Sequence, residues 1–99
     1  MTPGLKHATM NDGSRNFIEF PETVFFDQLR EYAAELRGAQ ITGFVSDWVT
    51  EVWLDFEFRG QNFSVNNPMV SYWFFVKDTN CPDDILLEVA NHFSKLLEK

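Results

Sequence analysis

The chain has 99 residues, enough for one domain and one core with little to spare. Its formal net charge is −7, from 15 acidic and eight basic side chains, which sets it against phosphate backbones and anionic membranes; such a surface could steer a basic partner, and the plainer reading is that the acidity serves solubility. The one cysteine, Cys81, excludes an internal disulfide and a multi-cysteine metal site and suits a reducing cytoplasm.

Residues 1–15 show no apolar period and end in the turn formers Asn11, Asp12 and Gly13, so they read as a flexible tail ahead of a domain over 16–99. No secretory apolar segment follows Met1, and no apolar run approaches the roughly 20 residues of a membrane span, which makes cytoplasmic the expected location. The tail holds Lys6 and Arg15 against Asp12. The rest therefore carries 14 acidic and six basic side chains, a balance of −8.

Asn16 to Phe20 forms a strand that Pro21 ends. A helix is expected from Pro21-Glu22-Thr23 to about Arg37, with Phe25, Leu29, Tyr32, Ala33 and Leu36 on its buried face and Gly38 beyond its end. Gln40 to Ser46 is the next strand, with a turn at Asp47-Trp48. Val49 to Phe58 alternates most cleanly: Val52, Leu54, Phe56 and Phe58 point one way, and Glu51, Trp53, Asp55 and Glu57 the other. Arg59 to Asn62 makes a hairpin loop in which Gly60 takes a positive φ. Phe63 to Asn66 pairs back, and Asn67-Pro68 turns the chain. Val70 to Lys77 is a strand apolar on both faces. The last helix begins at Pro82 with Asp83 and Asp84 in its first turn. Leu86, Val89, Ala90, Phe93, Leu96 and Leu97 make its buried stripe.

The expected fold is α+β in the order β-α-β-β-β-β-α: a mostly antiparallel sheet with two helices packed on one face. A right-handed crossover is expected if the first two strands run parallel. The other sheet face then becomes the surface of interest. The chain has 11 Phe, three Trp and two Tyr, a large aromatic load for one small core. Trp53 is expected on the uncovered face with Glu51, Asp55 and Glu57, joined by either Tyr72 and Phe74 or Trp73 and Phe75. Tyr72, Trp73 and Phe75 are therefore candidate binding residues. Aromatic patches of this kind mark interfaces, with Trp and Tyr as usual anchors.

Catalytic and ligand-binding constellations are weaker. His7 falls in the tail. Glu88 and His92 share a helix face, but two ligands do not make a metal site. Cys81 sits at a helix start, where the dipole lowers a thiol pKa, yet Asp83 and Asp84 oppose the thiolate and no His lies nearby in sequence. Asp55 and Glu57 stand roughly 6–7 Å apart along a strand. An acid–base pair at that spacing also needs a cleft; a solvated strand face is the plainer reading. The Asn66-Asn67 stretch reads as turn-forming. No phosphate-binding glycine pattern occurs, and the basic residues of a nucleic-acid sheet are missing. No cofactor is expected.

In size, acidity and lack of a catalytic set, the chain resembles small bacterial immunity proteins and other inhibitor-type binders. The resemblance is of type, and it assigns no residue a role. It implies a non-catalytic protein-binding module, a stoichiometric inhibitor of a basic partner. The alternatives are a homodimer built on the same face and, less favoured, a small-molecule site or enzyme.

Overall fold

A computed structural model describes residues 5–46, 52–67 and 71–97. Six strands form one sheet in the order β1-β2-β6-β5-β4-β3: β1 (Ala8–Thr9), β2 (Arg15–Pro21), β3 (Ala39–Ser46), β4 (Val52–Phe58), β5 (Gln61–Asn66) and β6 (Ser71–Val76). Every neighbouring pair is antiparallel. Two helices, α1 (Phe26–Ala34) and α2 (Asp83–Leu97), complete an α+β fold. β3 to β6 form a meander. β2 reaches its place beside β6 from the far side of the sequence, so β2 and β3, which α1 connects, are separated by three strands.

Both helices cover one sheet face. Phe93 of α2 lies against Phe74 of β6 and Phe56 of β4, with ring centroids 4.8 and 6.0 Å away, and against Tyr32 of α1 at 6.0 Å. Phe56 stacks on Phe63 of β5 at 5.2 Å. The alternation in β4 places Val52, Leu54, Phe56 and Phe58 in this core. The stripe on α2 is buried as its spacing predicts, with Ile85 added and Leu96 only partly buried.

β2 contributes more apolar surface than strict alternation allows. A bulge shifts its register between Asn16 and Ile18, and the adjacent Phe17 and Ile18 are both buried. The buried Asn16 amide donates to the carbonyl of Phe74 at 3.0 Å and more weakly to that of Ile18 at 3.4 Å.

Three expectations change. Residues 5–15, read as a tail, lie along the sheet: β1 pairs with β2, and the Lys6 amide donates to the Phe17 carbonyl at 2.9 Å. A two-residue strand is held by backbone hydrogen bonds and has no side-chain period to reveal it. Second, α1 begins at Phe26. Residue 25 is extended, and the Tyr72 hydroxyl donates to the Val24 carbonyl at 2.7 Å. The buried face is thereby Phe26, Leu29 and Ala33; Leu36 is buried beyond the helix end at Ala34, and Phe25 is exposed, stacked on Phe26. Third, the β4–β5 loop has two residues, Arg59 and Gly60, with φ of 51° and 79°, the geometry of a type I′ hairpin. Gln61 and Asn62 belong to β5. The first two long strands, β2 and β3, run parallel to each other, four antiparallel pairings apart in the sheet, so α1 lies on a crossover between strands that are not neighbours. The expected turns at Asp47-Trp48 and Pro68, and Glu51 and Trp48 themselves, lie outside the described residues.

Candidate interaction surface

The sheet face turned away from the helices is ordered by strand register into rows. One row runs Val45, Trp53, Asn66, Trp73, Glu19 across β3, β4, β5, β6 and β2; the next runs Gly43, Asp55, Ser64, Phe75, Asn16. Trp53 is 42% exposed and Val45 70% exposed. Trp73 and Phe75 are half-buried. The Trp53 and Phe75 rings lie 6.3 Å apart, tilted by 31°.

The structure thus selects Trp73 and Phe75 for this face and removes Tyr72 from it. Tyr72 is fully buried on the helix side. Its hydroxyl is spent on Val24, and burial raises its pKa above the ordinary tyrosine value, with Glu22 and Asp27 adding to the rise. Of the acidic candidates, Glu57 is exposed and Asp55 half-buried. Asp55 accepts the Ser64 hydroxyl at 2.7 Å from the adjacent strand. Its other oxygen lies over Gly43, where an added Cβ would stand 3.1 Å from Oδ2. A glycine at this register position lets the carboxylate lie across β3.

Trp53, Asp55, Ser64 and Phe75 floor a groove of about 890 Å³ that Lys77 also lines. Its wall is the tip of the β1–β2 hairpin, residues 10–14, which sequence reading placed in a tail. Asp12 builds this tip by accepting hydrogen bonds from the backbone and hydroxyl of Ser14, at 3.0 and 2.7 Å. Those bonds hold its carboxyl below the usual range. The tip also closes through Met10 N–H to the Ser14 carbonyl and Gly13 N–H to the Met10 carbonyl, with Gly13 at φ 89°. The signal for the wall was Asn11-Asp12-Gly13, a turn signature with strand on either side.

Beside the groove, Lys6 shows how this surface holds a cation. Its Nζ lies 5.8 Å from the Trp73 ring centroid and 2.5 Å from Glu19 Oε2. Glu19 and Trp73 are directly opposed across β2 and β6.

The reactive candidates are drawn into structural roles. Cys81 is 4% exposed, and burial, helped by Asp78, pushes its thiol up to about 11; the helix start does not activate it. His92 Nε2 is 2.7 Å from the Tyr32 carbonyl, and its ring stacks on Tyr32. Glu88 pairs instead with Arg59 at 2.8 Å. Asn67 Oδ1 accepts the Val52 amide at 2.9 Å and its Nδ2 donates to Glu22 at 3.1 Å; Asn66 donates to the Val52 carbonyl. Together they clamp the start of β4. Arg15, 7% exposed, donates to the Lys6 carbonyl and faces Asp83 at 3.6 Å. Among the described residues, no group of three or more His, Cys, Asp or Glu is arranged around a common metal position, and no helix is long and apolar enough to cross a membrane.

No protein-family model, curated protein or solved structure matches the chain.

Proposed function

We propose that the chain is a non-catalytic protein-binding module whose uncovered sheet face docks a basic protein, in the manner of a stoichiometric inhibitor or immunity-type protein. The observation that carries this reading is Trp53, 42% exposed beside Phe75 on a face that also presents Asp55 and Glu57. A partly exposed indole on a rigid sheet supplies anchor area at little entropic cost, and the net charge of −7 steers a basic partner toward it. The nucleophile and imidazole best suited to catalysis, Cys81 and His92, are committed to the fold.

Affinity capture from the source cell, run in parallel with the wild-type chain and Trp53→Ala, tests the proposal. The expected result is a basic protein retained by the wild type, lost in the variant and released by raised salt. Identical captured sets from the two chains would overturn it.

Among the described residues no strand pairs with the outer edge of β3, and this edge, with exposed Val45, supports a second reading, pairing with another copy. Light scattering at micromolar concentration separates the two. A monomer removes self-association; a dimer disrupted by Val45→Lys assigns this face to it.

A further inference from the structure

We propose that the groove seats one arginine side chain of the partner, its guanidinium flat against Trp53 and its charge on the Asp55 carboxylate. This rests on the reading of the uncovered face as a docking surface for a basic protein and names the contact that makes the docking specific.

The molecule contains its own precedent. At Trp73 an aromatic ring and a carboxylate from the neighbouring strand hold the Lys6 cation. At Trp53, two strands away in the same row, the same two chemistries recur: an indole with Phe75 beside it, and Asp55 two residues along β4 on the same face. Among the described residues, no cation pairs with Asp55. Its carboxylate is nonetheless fixed, because Ser64 donates to Oδ1 and the bare backbone of Gly43 leaves room for Oδ2. Ser64 occupies one acceptor position on Oδ1, and the carboxylate's remaining acceptor capacity is what an incoming N–H donor would use.

Charge favours the same occupant. Asp12 and Lys77 stand among the groove residues with opposite signs, which leaves Asp55 to set the balance; Glu57 adds negative charge along the same strand face. Arginine fits better than lysine for two reasons. Its planar cation stacks on an aromatic face, and its fork of N–H donors matches a carboxylate, whereas an ammonium is a strongly hydrated point charge.

The test uses the full isotope-labelled chain and three capped tripeptides, glycine-arginine-glycine and its lysine and citrulline counterparts. Citrulline keeps the shape and loses the charge. Two-dimensional spectra are expected to show the arginine peptide shifting the Trp53 indole N–H and the Ser64 amide, with a dissociation constant in the millimolar range, on the order of 1 mM. Lysine binds more weakly and citrulline does not bind. Asp55→Asn keeps an acceptor for Ser64 and weakens arginine binding by about tenfold. Gly43→Ala leaves every charge in place but displaces the carboxylate, and weakens binding by roughly threefold. Equal shifts from citrulline, unchanged affinity in Asp55→Asn, or shifts gathered away from the groove would each overturn the proposal.

A longer peptide of arginine and glycine separates this failure from failure of the broader reading. If it shifts the whole uncovered face regardless of Asp55, the face remains a basic docking surface and the arginine seat falls. If it shifts none of that face at low salt, both fall.

Discussion

The two faces of the sheet are made by the same strands and solve opposite problems. Along β4, Val52, Leu54, Phe56 and Phe58 are buried under the helices, while Trp53 and Glu57 between them meet solvent. The covered face is filled mainly with phenylalanine, which leaves no polar atom to satisfy. Its one tyrosine, Tyr72, reaches the Val24 carbonyl. Both described tryptophans, Trp53 and Trp73, lie on the uncovered face, where an indole can offer a ring and an N–H together. Among the described residues the aromatic load is therefore divided: most phenylalanines hold the molecule together, while both tryptophans, with Phe75 beside Trp53, lie on the outer face.

This division predicts a steep gradient of mutational cost. Phe93→Ala, at the meeting point of Phe56, Phe74 and Tyr32, is expected to destabilise the fold by about 3–5 kcal/mol in urea unfolding; a loss under about 1 kcal/mol would mean the covered face is not packed as described. Asn67→Ala leaves the Val52 amide without its acceptor and is expected to cost about 1–3 kcal/mol. Wild-type stability in that variant would show that the clamp on β4 is dispensable.

Alkaline titration probes the covered side without mutation. The buried Cys81 thiol rises from 9.0 to about 11, so the folded chain keeps a proton that the unfolded chain releases. Its contribution is complete below about pH 9 and disappears as pH climbs through about 11. Urea midpoints should fall across that window, and less steeply in Cys81→Ala. The raised Tyr72 pKa acts in the same direction from its ordinary value of 10.0 upward, so its effect overlaps the upper part of this window and continues beyond it. A profile that is flat and unaffected by Cys81→Ala would contradict the burial of the thiol.

The smallest stability effect belongs to the uncovered face. Trp53→Ala removes one cross-strand aromatic contact and is expected to change stability by less than about 1 kcal/mol, while abolishing partner capture. A cost as large as that of Phe93→Ala would erase the distinction between the faces and return Trp53 to the core.

Much of the covered face was legible from the sequence, because burial writes itself as a period. The alternation of β4 and the stripe of α2 each follow from one element meeting one apolar layer. Where apolar residues sit side by side, the period is silent. Phe25 and Phe26 differ in sequence by one position, yet a short extended stretch before α1 decides which is buried. In β6 the run from Tyr72 to Phe75 fits either face, and only pairing with β2 and β5 selects Trp73 and Phe75 for the outside. The groove was less legible still. Its wall is a hairpin too short to carry a pattern, and the approach of Asp55 to Gly43 depends on a register that neither strand specifies alone.

The position of β2 also shapes how the groove comes into being. The Asn16–Phe74 hydrogen bond joins residues 58 positions apart, whereas β3 to β6 are linked strand to next strand. Closing short loops costs less chain entropy, so the meander can assemble first, with β2 and its hairpin docking afterward. The floor around Trp53 and Asp55 then belongs to the early part of the fold and the wall at residues 10–14 to the late part. Detachment of that hairpin from β6 would take the groove apart while leaving the meander intact, tying the lifetime of the site to its most distant pairing in sequence.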